Sequence, residues 1–143
     1  MRAPALRPTA VLSVATLLVW TTRIRNIWTD EELSTAGQVG RTALALSFTA
    51  LALGGLALWW SARRRGGAPE SARRFVRAFA LWTAAVWVVR GVQIALADHD
   101  AAFVAVHTVL AVGSIALAVW ADRAAHADGA GDAPRPRQLS SSG

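Results

Sequence analysis

The sequence predicts an all-α fold: an integral membrane four-helix bundle built from two parallel-repeat helical hairpins. Three observations carry that expectation. Residues 42–62 and 101–121 each run 21 residues without a charge, and each is closed by tryptophan and then charge. A bilayer core takes about 20 apolar residues as helix, and a helix satisfies its own backbone in lipid. The second observation is the pooling of arginine in one loop. The third is that the second half of the chain echoes the first. Val19-Trp20-x-x-Arg23-x-x-Asn26-Ile27 returns as Val86-Trp87-x-x-Arg90-x-x-Gln93-Ile94, and the Thr49…Gly54…Leu58 pattern returns as Thr108…Gly113…Leu117. Alanine and leucine align by chance, so the matched Trp, Arg, amide, Thr and Gly carry the weight. Such internal symmetry is common in membrane proteins.

The first helix is expected over about 8–28. Pro8 to Thr22 is uncharged, and the apolar pattern continues through Ile24 and Ile27 to Trp28 past Arg23 and Arg25. A signal peptide is the rival, because Arg2 and Arg7 precede the run. No small-x-small cleavage site follows, so retention is favoured. Thr29-Asp-Glu-Glu32 resembles a capping box that would start the second helix near Asp30. Ser34 is a competing start, and Gly37 and Gly40 weaken the early turns. The spanning part of the second helix is expected over 41–62. The third, over 75–97, is apolar except for Arg77, Arg90 and Gln93, and the fourth covers 101–121. Residues 1–126 thus form one transmembrane domain. Residues 127–143, rich in Gly, Ala, Pro, Ser and charge, are expected to be a disordered cytoplasmic tail. Ala50-x-x-x-Gly54, Ala80-x-x-x-Ala84 and Gly91-x-x-x-Ala95 offer small residues one turn apart for close helix packing.

Topology follows from the loop between Arg63 and Arg77. It holds Arg63, Arg64, Arg65, Arg73, Arg74 and Arg77 against the single acid Glu70, a positive-inside signal. Both termini are then cytoplasmic, and the chain is expected in a bacterial plasma membrane as a multi-pass protein. The same loop would attract anionic lipid headgroups. The net charge of +6 therefore points to lipid and not to nucleic acid. All fifteen basic residues are arginine, and cysteine is absent, which removes disulfides and thiolate metal sites.

Candidate functional residues lie within the helices. Thr83, Trp87, Arg90, Ile94 and Ala97 follow a 4-3-4-3 spacing, and Thr16, Trp20, Arg23 and Ile27 trace the equivalent face of the first helix. Arg90 stands eight residues before Asp98, roughly 12 Å of helical rise from the loop. His107, Thr108 and Thr49 fall at a similar depth. Arg23, Asn26, Arg90, Gln93, His107, Thr108 and Thr49 are thus the candidate ligand-binding layer, with guanidinium groups suited to carboxylate or phosphate. The structural alternatives are snorkelling of Arg23 to the headgroups and an ion pair of Arg90 with Asp98, Asp30 or Glu31. For His107 a hydrogen bond to Thr108, Gln93 or a backbone carbonyl is expected before haem or metal ligation, and no cofactor is expected. Trp20, Trp28, Trp59, Trp60 and Trp120 suit interfacial belts, and Trp82 and Trp87 suit packing.

No nucleophile–base arrangement, phosphate loop or paired intramembrane carboxylates occur, so an enzyme is not expected. The first expectation is a small tetraspanning accessory or assembly subunit that meets copies of itself or other membrane proteins. The alternatives are an oligomeric transporter or channel protomer with an anion site at Arg23/Arg90, and an anionic-lipid binder.

Overall fold

A computed structural model describes residues 3–29 and 34–130, without the side chains of 25–29 and 128–130. A 3-10 turn, Ala3–Leu6, leads into α1 (Arg7–Thr29), α2 (Thr35–Arg65), α3 (Ser71–Leu96) and α4 (Ala101–Ala130). All four are long and apolar enough to cross a membrane. No strand occurs among the described residues.

Local chemistry explains the boundaries. α2 begins after Ser34, whose extended backbone lets its Oγ accept from the Gly37 amide at 3.2 Å. Thr29 belongs to the end of α1, which removes it as the cap of α2; the rest of the expected capping box lies outside the described residues. At the other end of α2, Gly66 takes φ 74, a left-handed cap that L side chains avoid. The backbone then turns through Pro69, whose carbonyl accepts from the Ala72 amide at 3.0 Å, into α3. α3 stops where Ala97 becomes extended, and Asp100 Oδ1 accepts from the Phe103 amide at 2.8 Å to start α4.

α2 and α4 exceed their expected spans most, while α3 begins four residues early, at Ser71. α2 adds Thr35–Arg41 before, and Arg63–Arg65 after, its uncharged stretch. α4 runs on to Ala130, past the expected tail boundary at 127. Four of the nine residues from 122 to 130 are alanine, a strong helix former, and His126 lies 3.4 Å from Asp122 one turn earlier. At about 1.5 Å per residue, the 31 residues of α2 outreach a hydrocarbon core of about 30 Å.

Each helix packs most closely on its hairpin partner, α1 on α2 and α3 on α4. α1 also lies against α4, whereas α2 and α3 approach each other least of the adjacent pairs. The tightest seam joins α1 to α2. Gly55 is buried against Ser13 and Thr9, so closely that a Cβ there would collide with Ser13 Oγ. Next to it Gly54 meets the Phe75 ring, whose Cζ would stand 2.8 Å from an added Cβ, and this contact pins α2 to α3. Another of the three expected small-residue contacts is absent: Gly91 and Ala95 are exposed, and nothing lies within 4 Å of a Cβ at Gly91. Near the Gly66 turn the core is dense, with Leu6, Ala62, Ala72, Val76, Ala121 and Ala125 all at 0% exposure.

Candidate functional site

The end of the bundle that carries the Ala97–Asp100 turn is built differently. There the helices enclose an open cavity of ≈ 1330 Å³, with walls from all four. α1 contributes Trp20 and Arg23; α2, Arg41 and Leu44; α3, Trp82, Val86, Trp87, Arg90 and Gln93; and α4, Phe103, His107 and Leu110. The 4-3-4-3 pattern explains the α3 wall, because Thr83, Trp87 and Ile94 are buried along the inward stripe that carries Arg90. Thr16 and Trp20 are buried on the matching stripe of α1.

The cavity floor is aromatic. Trp20 stacks on Phe48 with ring centres 4.3 Å apart and planes 11° apart. Trp82 sits 6.3 Å from the same Phe48 ring, which is fully buried behind them. Offset stacking of this kind fixes ring positions beyond simple burial. One α-helical turn nearer the rim, the Arg23 guanidinium lies 5.8 Å from the Trp20 ring centre, within cation–π range.

Arg23 does not extend freely toward a headgroup layer. Its Nη2 donates to His107 Nε2 on α4 at 2.8 Å. His107 Nδ1 lies 2.9 Å from the Phe103 carbonyl. A carbonyl can only accept and a guanidinium can only donate, so this geometry holds His107 as the neutral tautomer with its proton on Nδ1. The ring is held further by tilted ring contacts, with the Phe103 ring centre 3.9 Å from that of His107 and the His99 ring centre 4.4 Å from that of Phe103. Of the hydrogen bonds expected for His107, the one to a backbone carbonyl is present.

Arg90 donates to Gln93 Oε1 at 3.3 Å on its own helix, and its buried Nε has no partner among the described residues. The expected ion pair with Asp98 is not formed, because Asp98 lies beyond the helix end in the exposed turn. Asp30 and Glu31 lie outside the described residues. Arg23, Arg41 and Arg90 lie within one another's electrostatic reach. The site therefore gathers guanidinium groups from three helices around one cavity, and among the described residues no acidic side chain lines its wall.

Of the seven expected ligand-binding residues, four line this cavity: Arg23, Arg90, Gln93 and His107. Thr49 and Thr108 do not. Each hydroxyl donates to a carbonyl one turn back on its own helix, Ala45 at 2.9 Å and Val104 at 2.8 Å, the usual recourse of a hydroxyl in apolar surroundings. The Asn26 side chain lies outside the described residues. Arg41, Phe103 and His99 were not expected in the site. The i, i+4 spacing of Phe103 and His107 was a legible signal, since such residues share a helix face, whereas His99 lies in the turn before α4. Arg41 carried none, because a charge at the edge of an apolar stretch reads as a flank.

At the opposite end, Arg63 and Arg64 fold back over Trp59 and Trp60, with guanidinium carbons 5.0 and 4.9 Å from the ring centres. Glu70, Arg73, Arg74, Arg77 and His126 line a small open depression of ≈ 210 Å³ there. Among the described residues no group of three or more His, Cys, Asp or Glu could hold a metal ion. No protein family matches this chain, and neither a curated protein nor a solved structure matches it in sequence or fold.

Proposed function

We propose that the chain is a small non-enzymatic tetraspanning membrane protein that binds an anion in the cavity between its four helices. Both termini and the loop from Arg63 to Arg77 face the cytoplasm of a bacterial cell, and the cavity opens toward the outer leaflet. The observation that carries this reading is the convergence of Arg23 and Arg90, whose buried Nε has no partner among the described residues, on a cavity whose described lining holds no carboxylate. Cations in low-dielectric surroundings are costly unless an opposite charge meets them, and planar guanidinium groups suit carboxylate or phosphate. The His107 bond orients Arg23 across the cavity. Transport by such a protein would need a homodimer or larger assembly, because four helices rarely enclose a pathway alone.

Thermal unfolding in a mild detergent tests the anion site. Phosphate should raise the midpoint of the wild type by mass action, and Arg90→Gln and Arg23→Gln should each abolish the rise. A midpoint indifferent to phosphate, sulfate and acetate would remove the reading. Topology is tested with single cysteines at Gly37, Ser71 and Ser141 and an impermeant reagent on intact cells. Only Gly37→Cys should react.

The reading as an accessory or assembly subunit draws on a different observation. α4 is the most apolar helix and the least covered within the bundle, with Val106, Val109 and Val112 more than half exposed. That face is available to a partner helix as well as to lipid. Copurification in mild detergent, with Val109→Trp as the disrupting variant, distinguishes the two.

A further inference from the structure

The anion reading leaves most of the cavity unexplained. A phosphate or carboxylate group is comparable in size to a few water molecules, each about 30 Å³ in the liquid, against ≈ 1330 Å³ of space. The polarity of the wall is also graded along the helix axes. Arg23, Arg41, Arg90, Gln93 and His107 stand at the rim, on the side of the Ala97–Asp100 turn. One or more turns deeper, the wall becomes Trp20, Leu44, Trp82, Val86 and Leu110. A small hydrated anion matches only the rim.

The seam between α2 and α3 adds a route. The two helices are pinned at Gly54 and Phe75 and approach each other least of the adjacent pairs. On the rim side of that pin the Phe48 and Trp82 rings meet at 6.3 Å, and beyond them both helices supply cavity wall, Leu44 from α2 and Val86 from α3. In a bilayer, the loosely packed stretch of this seam between Leu44 and Val86 would face the acyl region, and the rim would lie toward the outer headgroups.

Resting on the anion reading, we infer that the natural occupant is an anionic amphiphile. Its phosphate or carboxylate head is held by Arg23 and Arg90, and its alkyl chain lies along the Trp20–Trp82 floor. The molecule reaches the site sideways, between α2 and α3. This occupant satisfies both halves of the wall together: the head meets the guanidinium groups, and the chain fills apolar volume that water occupies poorly. A bilayer amphiphile already has that orientation, with its head at the rim and its tail toward the midplane.

The test uses the full chain in nanodiscs of phosphatidylcholine, with and without 5 mol % dioleoyl phosphatidate, and with inorganic phosphate as the chain-free probe. We expect phosphatidate to raise the unfolding midpoint by several degrees, and the shift to vanish in Arg23→Gln and Arg90→Gln. Val86→Trp and, independently, Leu110→Trp fill the apolar half. Each should reduce the phosphatidate shift at least tenfold in apparent affinity while leaving the response to inorganic phosphate, which also reports that the variant is folded. Stabilisation by inorganic phosphate alone, with Val86→Trp and Leu110→Trp silent toward phosphatidate, overturns the amphiphile but keeps the anion site. No response to either probe overturns both. A phosphatidate shift that survives Arg90→Gln but is lost in the triple variant Arg73→Gln, Arg74→Gln, Arg77→Gln places the lipid at the opposite end and overturns the proposal.

Discussion

The two ends of this bundle are built on opposite packing rules. Near the Gly66 turn, small side chains let the helices close. Gly55 rests on Ser13, Gly54 receives the Phe75 ring, and Ala62, Ala72, Ala121 and Ala125 are fully buried. Near the Ala97–Asp100 turn the same helices carry Trp20, Trp82, Trp87 and three arginines, and they stand around an open cavity. Helices that lack a hydrophobic drive toward each other gain from backbone approach through small residues. Bulky rings deny them that approach. The comparison shows how one bundle combines a tight end, which supplies stability, with a held-open end that spends some of it.

The largest expected effect breaks the tight end. Gly55→Leu drives a side chain into Ser13 and Thr9 and should cost about 3 kcal/mol, as overpacking of a closed seam does. Ser13→Ala in the same chain should recover part of the loss. Gly113→Leu, at a position with open space, is the control and should move the unfolding midpoint little. Equal effects at Gly55 and Gly113 would deny that the seam is tight.

The next effect sharpens the account of the open end. A double-mutant cycle of Arg23→Gln and His107→Ala should show a coupling of about 1.5 kcal/mol, typical of a hydrogen bond with one charged partner. Additive losses, read from unfolding in detergent, would mean that the 2.8 Å contact contributes nothing.

Arg90→Gln should behave in the opposite sense to Gly55→Leu. With no carboxylate partner among the described residues and two cations nearby, removing its charge should leave stability without added anion unchanged, or raise it by up to about 1 kcal/mol. A site that binds an anion trades stability for function in this way. Asp98→Asn should be silent. A clear loss in both variants, restored in the double, would instead reinstate an Arg90–Asp98 pair.

The smallest effect lies on the exposed face of α4. Val109→Ala and Val112→Ala should each change stability by under about 0.5 kcal/mol, since both side chains are more than 60% exposed. A larger loss would show that another chain covers this face.

The all-α class, the number of helices and their approximate centres were legible in the sequence. Uncharged length and the chemistry of the lipid core admit few solutions, and residues 42–62 and 101–121 leave little choice. The inward stripes of α1 and α3 were also legible, because a 3.6-residue period places Trp20 with Arg23 and Trp87 with Arg90 on one face. Helix ends were read less well. The bilayer argument stops at about 20 residues, whereas capping by Ser34 and the alanine content after residue 121 let α2 and α4 continue.

What the sequence by itself determined, then, is the inward stripe of α1 and that of α3, because each depends only on spacing along one chain segment. Only the tertiary structure decided which inward residues meet. It set Arg23 against His107 across α1 and α4, brought Arg41 to the same rim, and left Thr49 and Thr108 bonded to their own helices. It also chose Gly55 over Gly91 as a seam between helices. These are questions of rotation and separation between helices, settled by the sum of contacts along two long surfaces. No local pattern encodes that sum.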